Sequence, residues 1–193
     1  FSADSLMQFI YLNNFYTWKE LISIDTSEQW FIDIQSFLSN WFSDNKFINV
    51  NTSGSTGIPK TIKLPKNNII HSADITINYF NLDASQTSAL CLPAKYIAGK
   101  MMIVRALQSG MDLIIEEPSS SPLQLINKAI DFVALTPMQI ENILDNNPDN
   151  LNLINKIIIG GGAVSPPLSD RLQDIKSLCY QTYGMTETIT HIA

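Results

Sequence analysis

The sequence predicts an α/β fold, a mostly parallel sheet covered by helices, preceded by a helical N-terminal segment. Three observations carry this reading. After Phe47, short and nearly continuous apolar runs alternate with longer stretches of helical periodicity, the pattern of strands buried on both faces by crossover helices. Before Phe47, Trp30, Phe31, Ile34, Phe37, Leu38, Trp41 and Phe42 repeat at the spacing of one helix face. The 193 residues are 45% hydrophobic and only 16% charged, enough apolar material for a sizeable core and the wrong balance for a disordered or fibrous chain.

Taken in order, residues 1–46 form a helical segment expected to pack on the core. Asp25-Thr-Ser-Glu28 supplies a capping signal ahead of the helix that starts near Trp30. The tryptophans Trp18, Trp30 and Trp41 all lie here and read as core anchors. The remaining 47–193 alternate. Strands are expected over 47–50, 61–64, 88–92, 111–116, 132–135, 156–159 and 178–182. Helices are expected over 66–80, 97–108, 123–129, 137–145 and 166–175. Glu117-Pro-Ser-Ser-Ser-Pro122 and Asn146-Asn-Pro-Asp-Asn150 read as loops.

Charge excludes some functions. Twelve Lys and Arg against eighteen Asp and Glu leave a net charge of −6, unsuited to gripping a phosphate backbone, so no nucleic-acid partner is expected. The start, Phe-Ser-Ala-Asp-Ser, has no basic stretch followed by an apolar run, and no uncharged stretch reaches the ~18 residues of a membrane span. The expected location is cytoplasmic, with no membrane partner. Cys91 and Cys179 stand far apart in apolar settings. They fit free thiols in buried strands of a reducing compartment, with one long-range bridge as the alternative.

Three motifs could carry chemistry. The strongest is Asn51-Thr-Ser-Gly-Ser-Thr-Gly-Ile-Pro-Lys60, after the strand at 47–50. Gly54 and Gly57 allow a tight turn and close backbone approach, Ser53, Ser55 and Thr56 offer hydroxyls, and Lys60 adds a positive charge. That set suits a polyphosphate. It does not overlay the common P-loop pattern, and Pro59 followed by Thr61-Ile-Lys-Leu64 predicts strand, loop, strand rather than strand, loop, helix. The second motif, Tyr183-Gly-Met-Thr-Glu-Thr188, follows the last apolar strand, where ligands of open α/β sheets gather. There Thr186 and Glu187 could face a phosphate and a magnesium ion. The third, Gly160-Gly-Gly-Ala163, again follows a strand. Bare backbone there could take a flat ring, and a plain turn is the alternative.

Together these three loops resemble the adenylate-forming ligases, a family of acyl-CoA synthetases, peptide-synthetase adenylation domains and luciferases. The resemblance covers about 47–193 and implies the fold of that family's large N-terminal domain, with 47–193 as its nucleotide-binding core. It implies that a carboxylate attacks the α-phosphorus of Mg·ATP to give an acyl-adenylate and pyrophosphate, and that a thiol, coenzyme A, then displaces AMP. It further implies that Thr52 to Gly57 and Lys60 hold the terminal phosphates, with Thr56 also near the metal. The segment from Gly160 through Gly161 and Gly162 to Ala163, with Tyr183, would flank adenine, Gly184 and Met185 would also bind ATP, Thr186 would contact the α-phosphate, and Glu187 would ligate Mg²⁺.

Leu92-Pro-Ala-Lys-Tyr-Ile-Ala-Gly-Lys100 resembles the family's stretch bordering the acyl pocket, with Tyr96 where an aromatic or His is usual and Gly99 fixed. Continued through Arg105, it is most similar to the o-succinylbenzoate–CoA ligase branch of menaquinone synthesis. That acid carries two carboxylates, and Lys95, Lys100 and Arg105 cluster three of the twelve basic residues where one could be met. The alternative is that these side chains reach out to solvent. A homodimer is compatible with the resemblance. His71 reads as a helix-surface residue and His191 could line the pocket. The family's ribose-binding Asp, hinge and C-terminal domain would lie after Ala193, so the chain resembles the nucleotide-binding part of such a ligase.

Overall fold

The computed structural model describes residues 7–51, 61–124 and 126–189. The elements are β1 (Phe9–Tyr11), β2 (Asn14–Tyr16), α1 (Trp18–Leu21), α2 (Gln29–Trp41), β3 (Phe47–Asn51), β4 (Thr61–Pro65), α3 (Lys66–Phe80), β5 (Thr87–Leu90) and α4 (Ile97–Ser109). They continue with β6 (Asp112–Ile115), β7 (Ile130–Leu135), α5 (Pro137–Asn146), α6 (Pro148–Leu151), β8 (Ile154–Ile159), α7 (Pro166–Leu172) and β9 (Leu178–Gln181), and end in a 3₁₀ turn at Thr186–Thr188.

Seven strands form one sheet in the order β2-β1-β6-β5-β7-β8-β9, parallel except for the edge strand β2. Alternation along each strand explains the continuous apolar runs. On β7, Phe132 and Ala134 face one core with α2, α3 and α4, while Val133 and Leu135 face the other with α5 and α7. Each face supplies a row of buried Ile, Leu, Val and Phe, so neither can tolerate the polar residues of a half-solvated strand. The parallel, doubly covered sheet is therefore present as expected. Among the described residues no helix is long and apolar enough to cross a membrane.

Four local expectations change. Within the N-terminal segment α1 and α2 are helical, but Phe9–Tyr11 and Asn14–Tyr16 form a hairpin that extends the sheet. Its two-residue turn holds Leu12 at φ 48° and Asn13 at φ 62°, the twist that matches a right-handed strand pair. The hairpin is secured far away in sequence: β1 runs parallel to β6, the Gln8 N–H donates to Asp112 Oδ1 (2.9 Å), and the Leu113 N–H donates to the Gln8 carbonyl (2.9 Å). Second, no helix is described over 123–129. Leu123 takes φ 63° to bury its side chain, its N–H donates to Glu116 Oε2 (2.8 Å), and its carbonyl accepts from Asn150 Nδ2 (2.7 Å), so tertiary partners replace a helical turn. Third, the expected loop at 146–150 carries the short helix α6. Fourth, α7 ends at Leu172 instead of continuing to Ile175.

The cap ahead of α2 also differs. Glu28 is its N-cap without a side-chain bond, and Thr26 Oγ1 instead accepts the Glu28 N–H (3.1 Å), while the capping box forms at Thr17 and Glu20 of α1. The tryptophans are core anchors. Trp41 is buried, Trp18 stacks on Phe42 at 4.0 Å between ring centroids, and Trp30 meets Phe31 edge-on at 5.3 Å.

Lys66 terminates α2 from outside. Its ammonium donates to the carbonyls of Asn40 (2.8 Å), Trp41 (2.8 Å) and Ser43 (2.9 Å), at and just past the negative dipole end of that helix. Desolvation lowers its pKa, partly offset by Asp44. Because Lys66 is the first residue of α3, this ties two helices and the β3–β4 hairpin at one point. Lys66→Met is expected to reduce unfolding free energy by about 1–3 kcal/mol, measured by urea denaturation; an unchanged midpoint would show the contact to be inert.

Candidate active site

The six parallel strands all end on one edge of the sheet. The chain leaves β5 toward β6 on one side and then crosses to β7 on the other, so the strand order reverses at β5 and its exit borders a crevice. Three loops meet on the β7 side of that crevice. A Cβ added to Gly161 would stand 3.5 Å from Thr136 Cγ2 and one on Gly162 would stand 3.6 Å from Pro137 Cγ, so the glycine loop lies along the exit of β7. A Cβ on Gly160 would stand 3.1 Å from Thr182 Oγ1, and Thr182 hydrogen-bonds to the Ile159 carbonyl through both its N–H (2.8 Å) and its hydroxyl (3.0 Å). Gly161 takes φ 78°, a conformation that glycine adopts without strain.

After Thr182 the chain carries Tyr183 and Met185, 60% and 43% exposed, and then closes a 3₁₀ turn. That turn is capped by Thr188, whose Oγ1 accepts the Met185 N–H (3.1 Å) and donates to the Met185 carbonyl (3.0 Å). Thr186 and Glu187 therefore sit in a fixed turn with no side-chain hydrogen bond among the described residues. Glu187 is exposed, and no group of three His, Cys, Asp or Glu gathers among the described residues. A lone carboxylate fits magnesium, which usually takes one or two carboxylates and leaves its other positions to phosphates and water.

The exit of β5 forms the opposite wall. Gly99, in the first turn of α4, packs so closely on it that a Cβ would meet the Pro93 carbonyl oxygen at 2.4 Å and that of Leu92 at 2.7 Å. Tyr96 is the N-cap residue of α4, with the Lys95 ammonium 4.9 Å from its ring centroid. Lys95 is exposed, but Lys100 and Arg105 are 8% and 2% exposed, which overturns the solvent-reaching alternative for both. The Lys100 ammonium donates to the Ala94 carbonyl and lies 5.1 Å from the Phe37 ring centroid. Arg105 Nη1 approaches Met102 Sδ at 3.7 Å. Five residues apart on a helix, the two are separated by about 140° around its axis, so they do not act as one cluster. Burial lowers the pKa of Lys100 to about 8, against a smaller opposing influence of Asp33, and that of Arg105 to about 10.

Not every motif falls within the described residues. Thr52, Ser53, Gly54, Ser55, Thr56, Gly57 and Lys60 lie outside them, as does His191. The strands flanking that loop do pair antiparallel as expected, with Asn51 opposite Thr61 and the Thr61 hydroxyl donating to Asn51 Oδ1 (2.9 Å). His71 is exposed on α3. Cys91 and Cys179 are free, and burial raises both thiol pKa values, that of Cys179 to about 11. Sequence reasoning missed Thr136, Thr182 and Gln139 at this edge. Thr136-Pro-Met-Gln139 did carry a signal, the spacing of a capping box, and it forms: Thr136 Oγ1 accepts the Gln139 N–H (3.2 Å).

Comparison with known proteins gives the family and the fold. The family described as AMP-binding enzyme matches residues 43–193. The chain belongs to that family. Among AMP-binding relatives, the 2-succinylbenzoate–CoA ligase of Lactococcus lactis is 28% identical over 191 residues, covering 94% of this chain and 41% of that protein. The ligase of the same name from Haemophilus influenzae is 29% identical over 139 residues, covering 70% and 30%. The chain thus spans less than half the length of these two relatives. Among solved structures, the acyl-CoA synthetase (AMP-forming)/AMP-acid ligase II-like protein from Dyadobacter fermentans superposes with a TM-score of 0.83 at 33% identity, covering 92% of this chain and 51% of that one. O-succinylbenzoate Coenzyme A synthetase from Bacillus subtilis, in complex with ATP and magnesium ion, gives 0.66 at 25% identity, covering 75% and 31%.

Two outcomes check this geometry. Gly99→Ala is expected to cost about 1–3 kcal/mol or more through the clash with the Pro93 carbonyl, read by thermal denaturation; a variant of unchanged stability would mean the helix can retreat from the loop. Between pH 8 and the ordinary lysine range the unfolded chain holds a proton that folded Lys100 has released, so folded stability rises with pH there. Below pH 8 both states are charged and the burial penalty is fully present. Lys100→Met is expected to flatten that rise and to be at least as stable as the native chain at pH 7, measured by urea denaturation at pH 7, 9 and 10.5; an unaltered slope would assign the rise elsewhere.

Proposed function

We propose that the chain is the nucleotide-binding part of an AMP-forming ligase that activates a carboxylic acid, o-succinylbenzoate, and passes the acyl group to coenzyme A. The observation that carries this reading is the meeting of Thr136-Pro137, Gly160–Gly162 and Thr182–Glu187 at the carboxyl edge of the parallel sheet in a member of the AMP-binding family. The choice of acid rests on the relatives named above.

In this proposal one oxygen of the acid's carboxylate attacks the α-phosphorus of ATP, the bond from that phosphorus to the bridging oxygen breaks, and pyrophosphate leaves. The sulfur of coenzyme A then attacks the acyl carbon, its proton is lost, and AMP departs with the electron pair of the acyl–oxygen bond. Negative charge gathers on phosphorus in the first step, so positioned hydroxyls, N–H groups and cations lower the barrier. Thr186 would donate to the α-phosphate, and Thr52, Ser53, Gly54, Ser55, Thr56, Gly57 and Lys60 would hold the terminal phosphates. Gly161, Gly162, Ala163, Tyr183, Gly184 and Met185 would form the wall for adenine. Glu187, with Thr56 nearby, would hold magnesium, which when bound withdraws charge from the phosphates. Tyr96, Gly99 and Lys100 would border the acid, while Arg105, buried on another side of α4, would not join Lys100 in meeting it.

A second reading keeps the chemistry and changes the acid. The Dyadobacter protein is more alike in structure and identity than the Bacillus one, and it is described as an acyl-CoA synthetase with no acid named, so it supports the ligase chemistry without supporting o-succinylbenzoate. Acid-dependent ATP–pyrophosphate exchange by the full-length protein separates these readings. Exchange with o-succinylbenzoate well above that with benzoate is expected, and Glu187→Gln is expected to slow it on the order of 10²-fold. No exchange with any acid would defeat both readings.

A further inference from the structure

Gln139, in the first turn of α5, is 4% exposed and uses both ends of its amide on backbone or capping groups. Its Oε1 accepts from the Thr136 N–H (3.0 Å) and hydroxyl (3.3 Å). Its Nε2 donates to the carbonyls of Cys91 (3.1 Å) and Ser119 (2.9 Å). A capping box needs only the bond from the Thr136 N–H to Oε1 and the return bond from the Gln139 N–H to Thr136 Oγ1. The two Nε2 bonds leave the helix altogether: Cys91 follows β5, Ser119 lies in the loop after β6, and Thr136 follows β7. One buried amide therefore spans the exits of three adjacent strands at the point where strand order reverses. Thr136, fixed by it, is the residue against which Gly161 packs.

We propose that Gln139 is a positioning residue, holding the β5 exit loop at a set spacing from the wall made by Thr136 and Gly161 without itself touching acid or nucleotide. This rests on the acid-activating reading above. The two walls are not equally dependent on it. The β7 wall is backed by its ladder with β8, in register from Ile130 with Ile154 to Leu135 with Ile159. The Cys91 carbonyl stands just past the end of the β5 ladder and takes its hydrogen from Gln139. Without that donor the carbonyl must find water, and the loop must move to let it. A displacement near 1 Å in a positioning element can cost on the order of 10²-fold in turnover, so the acid side should suffer first.

The test uses the full-length protein and acid-dependent ATP–pyrophosphate exchange. Gln139→Met, similar in length and without donors, is expected to raise KM for the acid about tenfold or more while KM for ATP moves less than about threefold. Thr17→Ala, which removes a remote helix cap, serves as the stability control and should move neither KM. Gln139→Glu covers the case in which the Met variant does not fold, since it keeps an acceptor for Thr136. Its carboxylate cannot donate to Cys91 or Ser119, but its protonated form can donate to one of them. Its acid KM is therefore expected to recover toward the native value as pH falls from 8 to 5.5, a trend a purely structural residue would not produce. Folded Gln139 variants with native acid KM at every pH, or with both KM values raised in equal proportion, would overturn the proposal. Absence of exchange in the unaltered protein would instead overturn the ligase reading on which it rests.

Discussion

A parallel sheet delivers every strand's last carbonyl and N–H to the same edge, where the ladder stops and water is partly excluded. Those groups must be met by loops and side chains, or the edge cannot stay closed. In this chain buried or half-buried polar side chains at that edge turn inward to the backbone: Glu116 to Leu123, Lys100 to Ala94, Gln139 to Cys91 and Ser119, and Thr182 to Ile159. With the loops held, Thr186 and Glu187 are left facing outward from a turn that Thr188 caps. Chemistry at the edge is thus available because most polar groups around it are already occupied.

The face built by α2, α3 and α4 follows a different rule. It buries two cations, Lys100 and Arg105, among Phe37, Met102 and their neighbours, and both are held below their ordinary pKa by loss of water. Buried charge seldom adds stability by itself. What Lys100 adds is a link between α2 and the loop after β5, so the N-terminal segment is coupled to one wall of the crevice.

How much of this could be read from sequence depended on whether partners were local. The doubly covered strands were evident because burial on both faces makes the run itself apolar, as in Phe132 to Leu135. The glycine motif after β8 was evident because its residue type suits the backbone geometry, as the positive φ of Gly161 illustrates, and the other two motifs were evident from the chemistry of their hydroxyl, carboxylate and ammonium groups. The hairpin at Phe9–Tyr11 and Asn14–Tyr16 was not, since Asn13 gives only a weak turn signal beside Leu12 and the pairing that secures it lies on β6. The helix expected over 123–129 was displaced by side chains from elsewhere: the Leu123 N–H donates to Glu116, and Asn150 donates to the Leu123 carbonyl. For Gln139 the capping half of its role was written locally, and the half reaching Cys91 required the fold. The loop carrying Lys60, the most informative stretch of the sequence, falls outside the described residues, so its strand-flanked placement rests on the pairing of Asn51 with Thr61.

The parallel union of β1 with β6 sets an order of events when the protein is made. Phe9 and Ile10 leave the ribosome about a hundred residues ahead of their partners Leu113 and Ile114, a lead of several seconds at ordinary elongation rates. During that interval Phe9 and Phe31, both fully buried in the finished protein, have no sheet to cover them. The N-terminal aromatic cluster must wait, exposed or loosely collapsed around α2, until β5 and β6 arrive. Nascent chains are therefore exposed to aggregation through Phe9 and Phe31 until the second half of the sheet has been synthesised.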